Sequence, residues 1–374
     1  VGTPRLEINL DKIAHNVRTI KKLYATKGIS VAGVTKSVCG NPIIANVMVK
    51  NGMSILGDSR IENIRRMSRA GVDAQFMLIR SPLTSQLEEV VKYAHISLNS
   101  DWSVIKKLSA IALVRNTVHK IILMVEMGDL REGIMPDDMP GIVGEVLQLD
   151  GIKLEGIGTN LTCYGGIKPD EKKMKTLSLL ATSLERQFKI QLKIISGGSS
   201  SNYNWFKSTH DIGRINQLRI GESIMLGVEP IGRSAISHLY TDAFTLIAEV
   251  IESKVKPSLP YGEVGQDVFG KIPVFEDKGE MKRIILGLGM QDLNVRGLTP
   301  KMDIEILGAS SDHTIIDSKQ LEIKTGKELA FNVNYAALLS AMASPYITKT
   351  LSKYDERPRI LPMGRRERLK TKTT

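Results

Sequence analysis

Cysteine is nearly missing: Cys39 and Cys163 are the only two in 374 residues, and neither has a partner at metal-finger spacing. A disulfide framework and a thiolate metal site are therefore not expected, and a reducing compartment, the cytoplasm, is. Long apolar runs are missing too. The strongest, 121–125, is strand-sized, far below the ~18 residues of a membrane span, and no charged-then-apolar segment of signal type opens the sequence. Aromatic residues make up only 5%, too few to interleave with basic side chains as a nucleic-acid surface would. What is present is an ordinary globular balance, 42% hydrophobic and 24% charged, with 32 Gly and 14 Pro spread along the chain. That balance excludes disorder and collagen-like architecture. The length exceeds twice the one-domain prior of roughly 150 residues, so one large domain or two fit.

The net charge of +11 invites a phosphate-binding reading. The charge is uneven, however. Arg357, Arg359, Arg365, Arg366, Arg368, Lys370 and Lys372 face Glu367 alone near the end of the chain, which leaves +5 for the other 356 residues. Residues 356–374 read as a basic, mobile tail, and the rest is mildly basic.

The first two thirds alternate strand-like runs with helix-period segments. Eight runs, 29–34, 54–57, 74–79, 94–98, 120–125, 153–158, 193–195 and 217–220, are separated by segments with apolar residues at three- and four-residue steps. Such alternation implies parallel strands joined by crossovers, and eight units favour a closed (β/α)8 TIM-like barrel over a doubly wound sheet. Near Gly227 the rhythm changes. The runs 244–250, 272–275, 282–288, 304–307, 314–317 and 329–333 alternate with turn-rich pieces such as 296–300, and predict a mostly β second domain. The domains are then 11–230 for the barrel and 231–355 for the β domain, with 1–10 an opening strand free to pair with either.

In a barrel of this kind chemistry belongs at the carboxyl ends of the strands. Lys36 follows the first run; a lysine that loses hydration at a barrel mouth becomes a nucleophilic amine able to form a Schiff base. The plainer reading is a solvated lysine. The turn Ser196-Gly197-Gly198-Ser199-Ser200-Ser201 follows the seventh run and suits a phosphate, or is a simple linker turn. Arg219-Ile220-Gly221-Glu222 ends the eighth run, where Gly221 would expose backbone donors to the same phosphate; the alternative is the first turn of a helix. Arg131, after the fifth run, could grip a carboxylate bidentately or form a surface ion pair with Glu126 or Asp129.

In this order the residues resemble the alanine racemase family of pyridoxal 5'-phosphate (PLP) enzymes, fold-type III, and most of all its ornithine racemase-like branch. The similarity runs over roughly residues 3–353: Lys after strand one, Arg-x-Gly after strand five, Asn160 in Gly158-Thr159-Asn160-Leu161, the serine turn, then Arg219-Ile220-Gly221. The resemblance implies a PLP-binding barrel with Lys36 as the cofactor-bearing lysine and one of two catalytic bases. Asn160 belongs to the cofactor set, Arg219 faces the pyridine nitrogen, and Ser199 or Ser200 with the backbone at Gly221 and Glu222 holds the phosphate, reached also by Tyr335. Arg131 matches the substrate-carboxylate arginine. Alanine racemases carry their opposite-face base, a tyrosine from the second subunit, where this chain has Met290, which cannot move a proton. Asp312 or His313 in a neighbouring β-domain loop, or Cys163, is left for that task, and the stretch 262–267 could shape the pocket. Met290 and Asp292 join the substrate set. Asp292, Asp312 and Asp267 supply acidity for a basic side chain.

The implied activity is inversion of Cα in a free amino acid, ornithine or another basic one, otherwise alanine or serine, by a homodimer with shared active sites. A PLP aldolase or decarboxylase, which needs no symmetric pair of bases, is the second reading. A PLP-carrying protein without activity is the third, disfavoured by the complete β domain. A nucleic-acid module is the remaining alternative, resting on net charge and the basic tail, without aromatic interleaving or a recognisable binding motif.

Overall fold

The computed structural model describes residues 2–267, 269–270 and 272–352; the basic tail expected at 356–374 lies outside them. The chain opens with β1 (Arg5–Ile8) and α1 (Leu10–Ala25), the latter started by Asn9, whose side chain accepts the Lys12 N–H. The expected alternation follows. In chain order come β2 (Ser30–Val34), α2 (Pro42–Lys50), β3 (Ile55–Asp58), α3 (Ile61–Arg69), β4 (Gln75–Leu78), α4 (Leu87–Tyr93), β5 (Ile96–Asn99) and α5 (Trp102–Val114). Then come β6 (His119–Val125), α6 (Met139–Val146), β7 (Ile152–Thr159), α7 (Glu171–Phe188), β8 (Ile194–Ser199), α8 (Tyr203–Ser208), β9 (Gln217–Ile220) and α9 (Glu222–Leu226). Strands β2 to β9 close into a parallel barrel, with β2 paired to β9 through Ser30↔Gln217 to Gly33↔Ile220.

Both faces of the barrel wall are buried, which is why the strands read as continuous apolar runs instead of alternating ones. Met77, Ile96, Leu98, Ile122 and Met124 form one cluster. Their alternate neighbours Phe76, Leu78, Ile121, Leu123 and Val125 belong to the large core shared with the helices. The first set lines the lumen and the second faces the helical layer, as the period of two requires. On β9 the outward pair is Leu218 and Ile220, so Arg219 points inward at the carboxyl end.

The second part contains β10 (Phe244–Pro257), β11 (Glu280–Leu286), β12 (Leu298–Pro300), β13 (Glu305–Ala309), β14 (Thr314–Asp317), β15 (Glu328–Val333), α10 (Tyr335–Ala343) and β16 (Thr348–Leu351). The strand order is β12-β15-β10-β11-β14-β13, and β1 joins antiparallel to β10 and parallel to β16. A bulge between Val250 and Glu252 splits β10; its first half pairs with β1 and β15 and its second with β11.

Several expectations need correction. The run 272–275 is no strand: it lies in the 258–279 connection, where Ile272, Val274 and Phe275 are exposed and find no ladder partner among the described residues. Leu298–Pro300, read as part of a turn, pairs with β15, with Pro300 at the end of the short strand where a missing N–H is tolerated. Helix α10 and strand β16 went unread; the apolar α10 is buried on most sides and gives no clear helical stripe.

Candidate active site

The carboxyl ends of β2, β6, β7, β8 and β9 converge on one region. Lys36 starts a 3-10 turn over Lys36–Val38 directly after β2. Behind it Asp58, fully buried at the end of β3, accepts hydrogen bonds from Thr35 Oγ1 at 2.8 Å, Asn63 Nδ2 at 3.0 Å and the Arg60 N–H at 3.0 Å. Burial pushes the Asp58 carboxyl up from its ordinary value, opposed by these bonds and by the charge of Lys36. Helix α10 of the β domain packs on this turn, and Tyr335 at its first position brings its ring centroid to 5.7 Å from Lys36 Nζ. The β domain thus completes the mouth of its own barrel.

Arg219 is 3% exposed. Its Nη2 donates to Thr159 O and Asn160 Oδ1, both at 2.7 Å, and its Nη1 to Ser196 Oγ. Burial lowers its pKa to about 10, so the guanidinium stays charged near neutrality. These bonds use three of five donors, and no carboxylate is among the partners. A buried cation in that condition calls for an acceptor.

The serine turn is locally built. Gly198 sits at φ +136°, and a Cβ there would lie 2.3 Å from Asn202 Oδ1, so only glycine fits. Ser199 Oγ meets Ser201 Oγ at 3.1 Å, and the Ser199 N–H donates to Asn202 Oδ1 at 3.0 Å. Ser200 Oγ accepts the Ser223 N–H at 3.2 Å, which ties this turn to the start of α9. The N–H groups of Gly221 and Glu222 have no acceptor among the described residues. The Glu222 carboxylate pairs with Arg233 and its pKa is raised by burial, which leaves only backbone for an anion. Two unused N–H groups beside serine hydroxyls, next to a buried guanidinium with spare donors, fit the phosphate and ring nitrogen of PLP.

Arg131 pairs with Glu132 through both carboxylate oxygens, neither with Glu126 nor with Asp129. Glu126 and Asp129 build the backbone instead. Glu126 Oε1 accepts the N–H groups of Gly128 at 2.6 Å and Leu130 at 3.0 Å. Asp129, 1% exposed, accepts those of Cys163 at 3.1 Å, Tyr164 at 2.9 Å and Ile167 at 3.4 Å. Leu130 and Thr162, both non-glycine, are held at φ 51° and 64° in these two loops, where strain concentrates at functional sites. Cys163 is exposed and lies within electrostatic reach of both Arg131 and Arg219.

Met290, Gln291, Asp292, Asp312 and His313 come together elsewhere. The Met290 N–H donates to Ser310 O at 2.9 Å and the Gln291 N–H to Ser311 O at 3.0 Å. Gln291 Nε2 bonds Asp312 Oδ1, and Ser310 Oγ lies 3.5 Å from His313 Nδ1. Asp292 is a turn former whose Oδ2 accepts the Gly289 N–H at 2.8 Å. These residues make one paired tip of the β domain. No hydrogen bond or ion pair among the described residues joins the tip to Lys36, Arg131, Arg219 or the serine turn of the same chain. Within the 262–267 stretch, Asp267 Oδ1 accepts the Phe269 N–H at 2.9 Å.

Sequence reasoning gave no role to Asp58 or Glu132 and took Asp129 for an ion-pair partner of Arg131, where it instead accepts backbone N–H groups. Each had a positional signal: a carboxylate at the end of a strand-like run, or beside Arg131. What was invisible was which acceptor each donor would find.

The model of the alanine racemase N-terminal domain matches residues 8–230. An ornithine racemase of Acetoanaerobium sticklandii is 39% identical over 93% of this chain and 99% of its own length. A lysine racemase of Thermotoga maritima is 41% identical over 92% of this chain and 98% of its own. The solved alanine racemase of Clostridium difficile 630, at 17% identity, superposes with a TM-score of 0.74, covering 94% of this chain and 96% of that one, and shares the fold. The matched barrel and the near full-length likeness to two racemases place the chain in the alanine racemase family.

Proposed function

We propose that the protein is a PLP-dependent racemase of a free basic amino acid, ornithine or lysine. The observation that carries this is the site itself: a lysine at the barrel mouth, a buried arginine with unused donors, and a serine turn beside free backbone N–H groups, in a chain about 40% identical to an ornithine racemase and a lysine racemase. PLP, when bound, supplies the electron-withdrawing ring that acidifies the α-proton of an attached amino acid.

The chain's own residues do the rest. Lys36 would hold the cofactor aldehyde through its amine, and the same amine would move a proton at Cα from one face. Arg219 would face the ring nitrogen, and because a guanidinium does not yield its proton, it would leave that nitrogen unprotonated and so restrain the ring's electron withdrawal. Ser199 or Ser200, the N–H groups of Gly221 and Glu222, and Tyr335 hold the phosphate, while Asn160 fixes Arg219. Arg131 takes the substrate carboxylate. Met290 cannot serve as the opposite-face base. Cys163 of the same chain, or Asp312 or His313 from the tip of a second copy, fills that role, and the separation of the tip from its own chain's site supports a homodimer with shared sites. Asp312 and Asp267 are the carboxylates we assign to a cationic side chain, while Asp292 accepts the Gly289 N–H in its turn. No helix of the described residues is long and apolar enough to cross a membrane, and we place the enzyme in the cytoplasm on its two free thiols.

The test is chiral analysis of the purified protein with L-ornithine, L-lysine, L-alanine and L-serine, together with its visible absorbance. Wild type should carry the band of lysine-bound PLP and racemise a basic amino acid, and Lys36→Ala should lose both. A wild type without the band, or one that never exchanges α-protons with deuterated solvent, ends the proposal. Glycine with an aldehyde, or CO2, as product would make it an aldolase or a decarboxylase.

A further inference from the structure

The residue after the carboxylate-binding arginine has no role in the scheme above. Glu132 is the only acid bonded to Arg131 among the described residues, and it does so along a single edge: Oε2 accepts from Nε and Oε1 from Nη2. The opposite edge, formed by Nη1 and the second hydrogen of Nη2, has no hydrogen-bond partner among the described residues, and that edge is a ready fork for another carboxylate. Oε1 also accepts from Asn160 Nδ2 at 2.8 Å, and Asn160 Oδ1 accepts from Arg219 Nη2 at 2.7 Å. The four side chains form one continuous line, Arg131–Glu132–Asn160–Arg219, running from the end of β9 to the loops after β6 and β7. Asparagine in the third place is dictated by chemistry: toward a carboxylate it must donate and toward a guanidinium it must accept, which one carboxamide does at once and neither Asp nor Leu can do. Two cations, Arg131 and Arg219, would otherwise repel each other across this small space. The negative charge of Glu132 opposes that repulsion at Arg219.

We infer that Glu132 is a positioning residue: it locks one edge of Arg131 so that the other edge meets the substrate carboxylate, and through Asn160 it couples that clamp to Arg219. The inference rests on the racemase reading above. A glutamine at this position supplies one acceptor and one donor where two acceptors are needed, so its amide N–H₂ confronts Arg131 in either orientation, and Asn160 as well in one of them. An aspartate keeps the charge but is one methylene too short to span both partners.

The test uses the holoenzyme, with L-ornithine and L-lysine as probes, in wild type, Glu132→Gln, Glu132→Asp, Asn160→Ala and the Glu132→Gln/Asn160→Ala double variant. Loss of a bidentate charge-assisted clamp should raise KM in Glu132→Gln by about ten- to a hundredfold, with kcat changed less than about threefold. The dissociation constant of L-ornithine read from the visible spectrum should rise in parallel. The pH midpoint of the cofactor band should shift, because a negative charge two bonds along the line from Arg219 has gone. Glu132→Asp should fall between, and the double variant should be less impaired than the two single effects combined, as members of one network are. A folded, PLP-loaded Glu132→Gln protein with KM, ornithine affinity and band midpoint all at wild-type values overturns the inference while leaving the racemase reading intact. So does a loss that follows only the fraction of folded protein. A wild type that racemises neither amino acid sinks the function and this role together.

Discussion

His119 should make the barrel acid-sensitive. It is 3% exposed, at the start of β6 on the face turned to the helical layer, with Nε2 at 2.8 Å from Ser97 Oγ. Asn99 Nδ2 donates to Ser97 O at 3.0 Å and to Ser97 Oγ at 2.9 Å. This directs the serine hydroxyl proton at the ring and makes the imidazole an acceptor, a neutral state. Burial, with a smaller push from His95, lowers its pKa from 6.5 to about 4. As pH falls through 6.5 the unfolded chain takes up a proton that the folded chain refuses, so stability is full above 6.5, declines below it and stops declining near pH 4. A depression of this size corresponds to about 3 kcal/mol at the limit, and to about 2 kcal/mol at pH 5. The variant His119→Gln keeps a neutral hydrogen-bonding group and cannot charge. Urea unfolding at pH 8 and pH 5 reads the difference: the wild type should lose about 2 kcal/mol more than the variant between the two values. Activity would follow, since a barrel that opens in acid loses its site whatever the catalytic groups do. Equal losses in the two proteins, or direct observation of His119 titrating near 6.5, would refute the reasoning.

Other outcomes follow from the loops. A Cβ at Gly289 would lie 2.2 Å from Ser311 O and 2.4 Å from the Asp312 nitrogen, all backbone, so Gly289→Ala should force the β-domain tip apart. Racemisation should fall at least tenfold while far-UV circular dichroism and the cofactor band persist; unchanged activity would remove the tip from the site. Asp129→Ala strips three backbone N–H groups in the 163–167 loop of their acceptor and should cost about 2 kcal/mol or more in denaturant unfolding. Hydrogen exchange at the Cys163 and Tyr164 amides should accelerate, and amides that stay protected would contradict the assignment.

Much of the fold was legible because its signals are local. Apolar runs spaced by helical periodicity imply parallel strands covered on both faces, and a count of eight favours the closed barrel over a doubly wound sheet. The β domain was legible in part. Its run 272–275 is β-rich in composition yet finds no ladder partner among the described residues, whereas Leu298–Pro300 looks like a turn and becomes a strand because β15 lies beside it. Apolar α10 could not be phased, because burial on several sides erases the stripe by which a helix is read.

For the site, the sequence by itself determined which chemical groups stand at the ends of which strands: Lys36 after the first barrel strand, Arg131 after the fifth, Asn160 after the sixth, the serine turn after the seventh, Arg219 in the eighth. Strand order and the period of two carry that information along the chain. Tertiary structure alone decided the partners. Arg131 had Glu126, Asp129 and Glu132 within six residues, and only the path of the loop gave it Glu132. Asn160 became the bridge between Glu132 and Arg219 because β7 lies beside β6 and near β9. Tyr335 reached Lys36 from 299 positions away because α10 folds back on the barrel mouth. Hydrogen bonds depend on distances of a few tenths of an ångström, and such distances are fixed by packing across the chain, not along it.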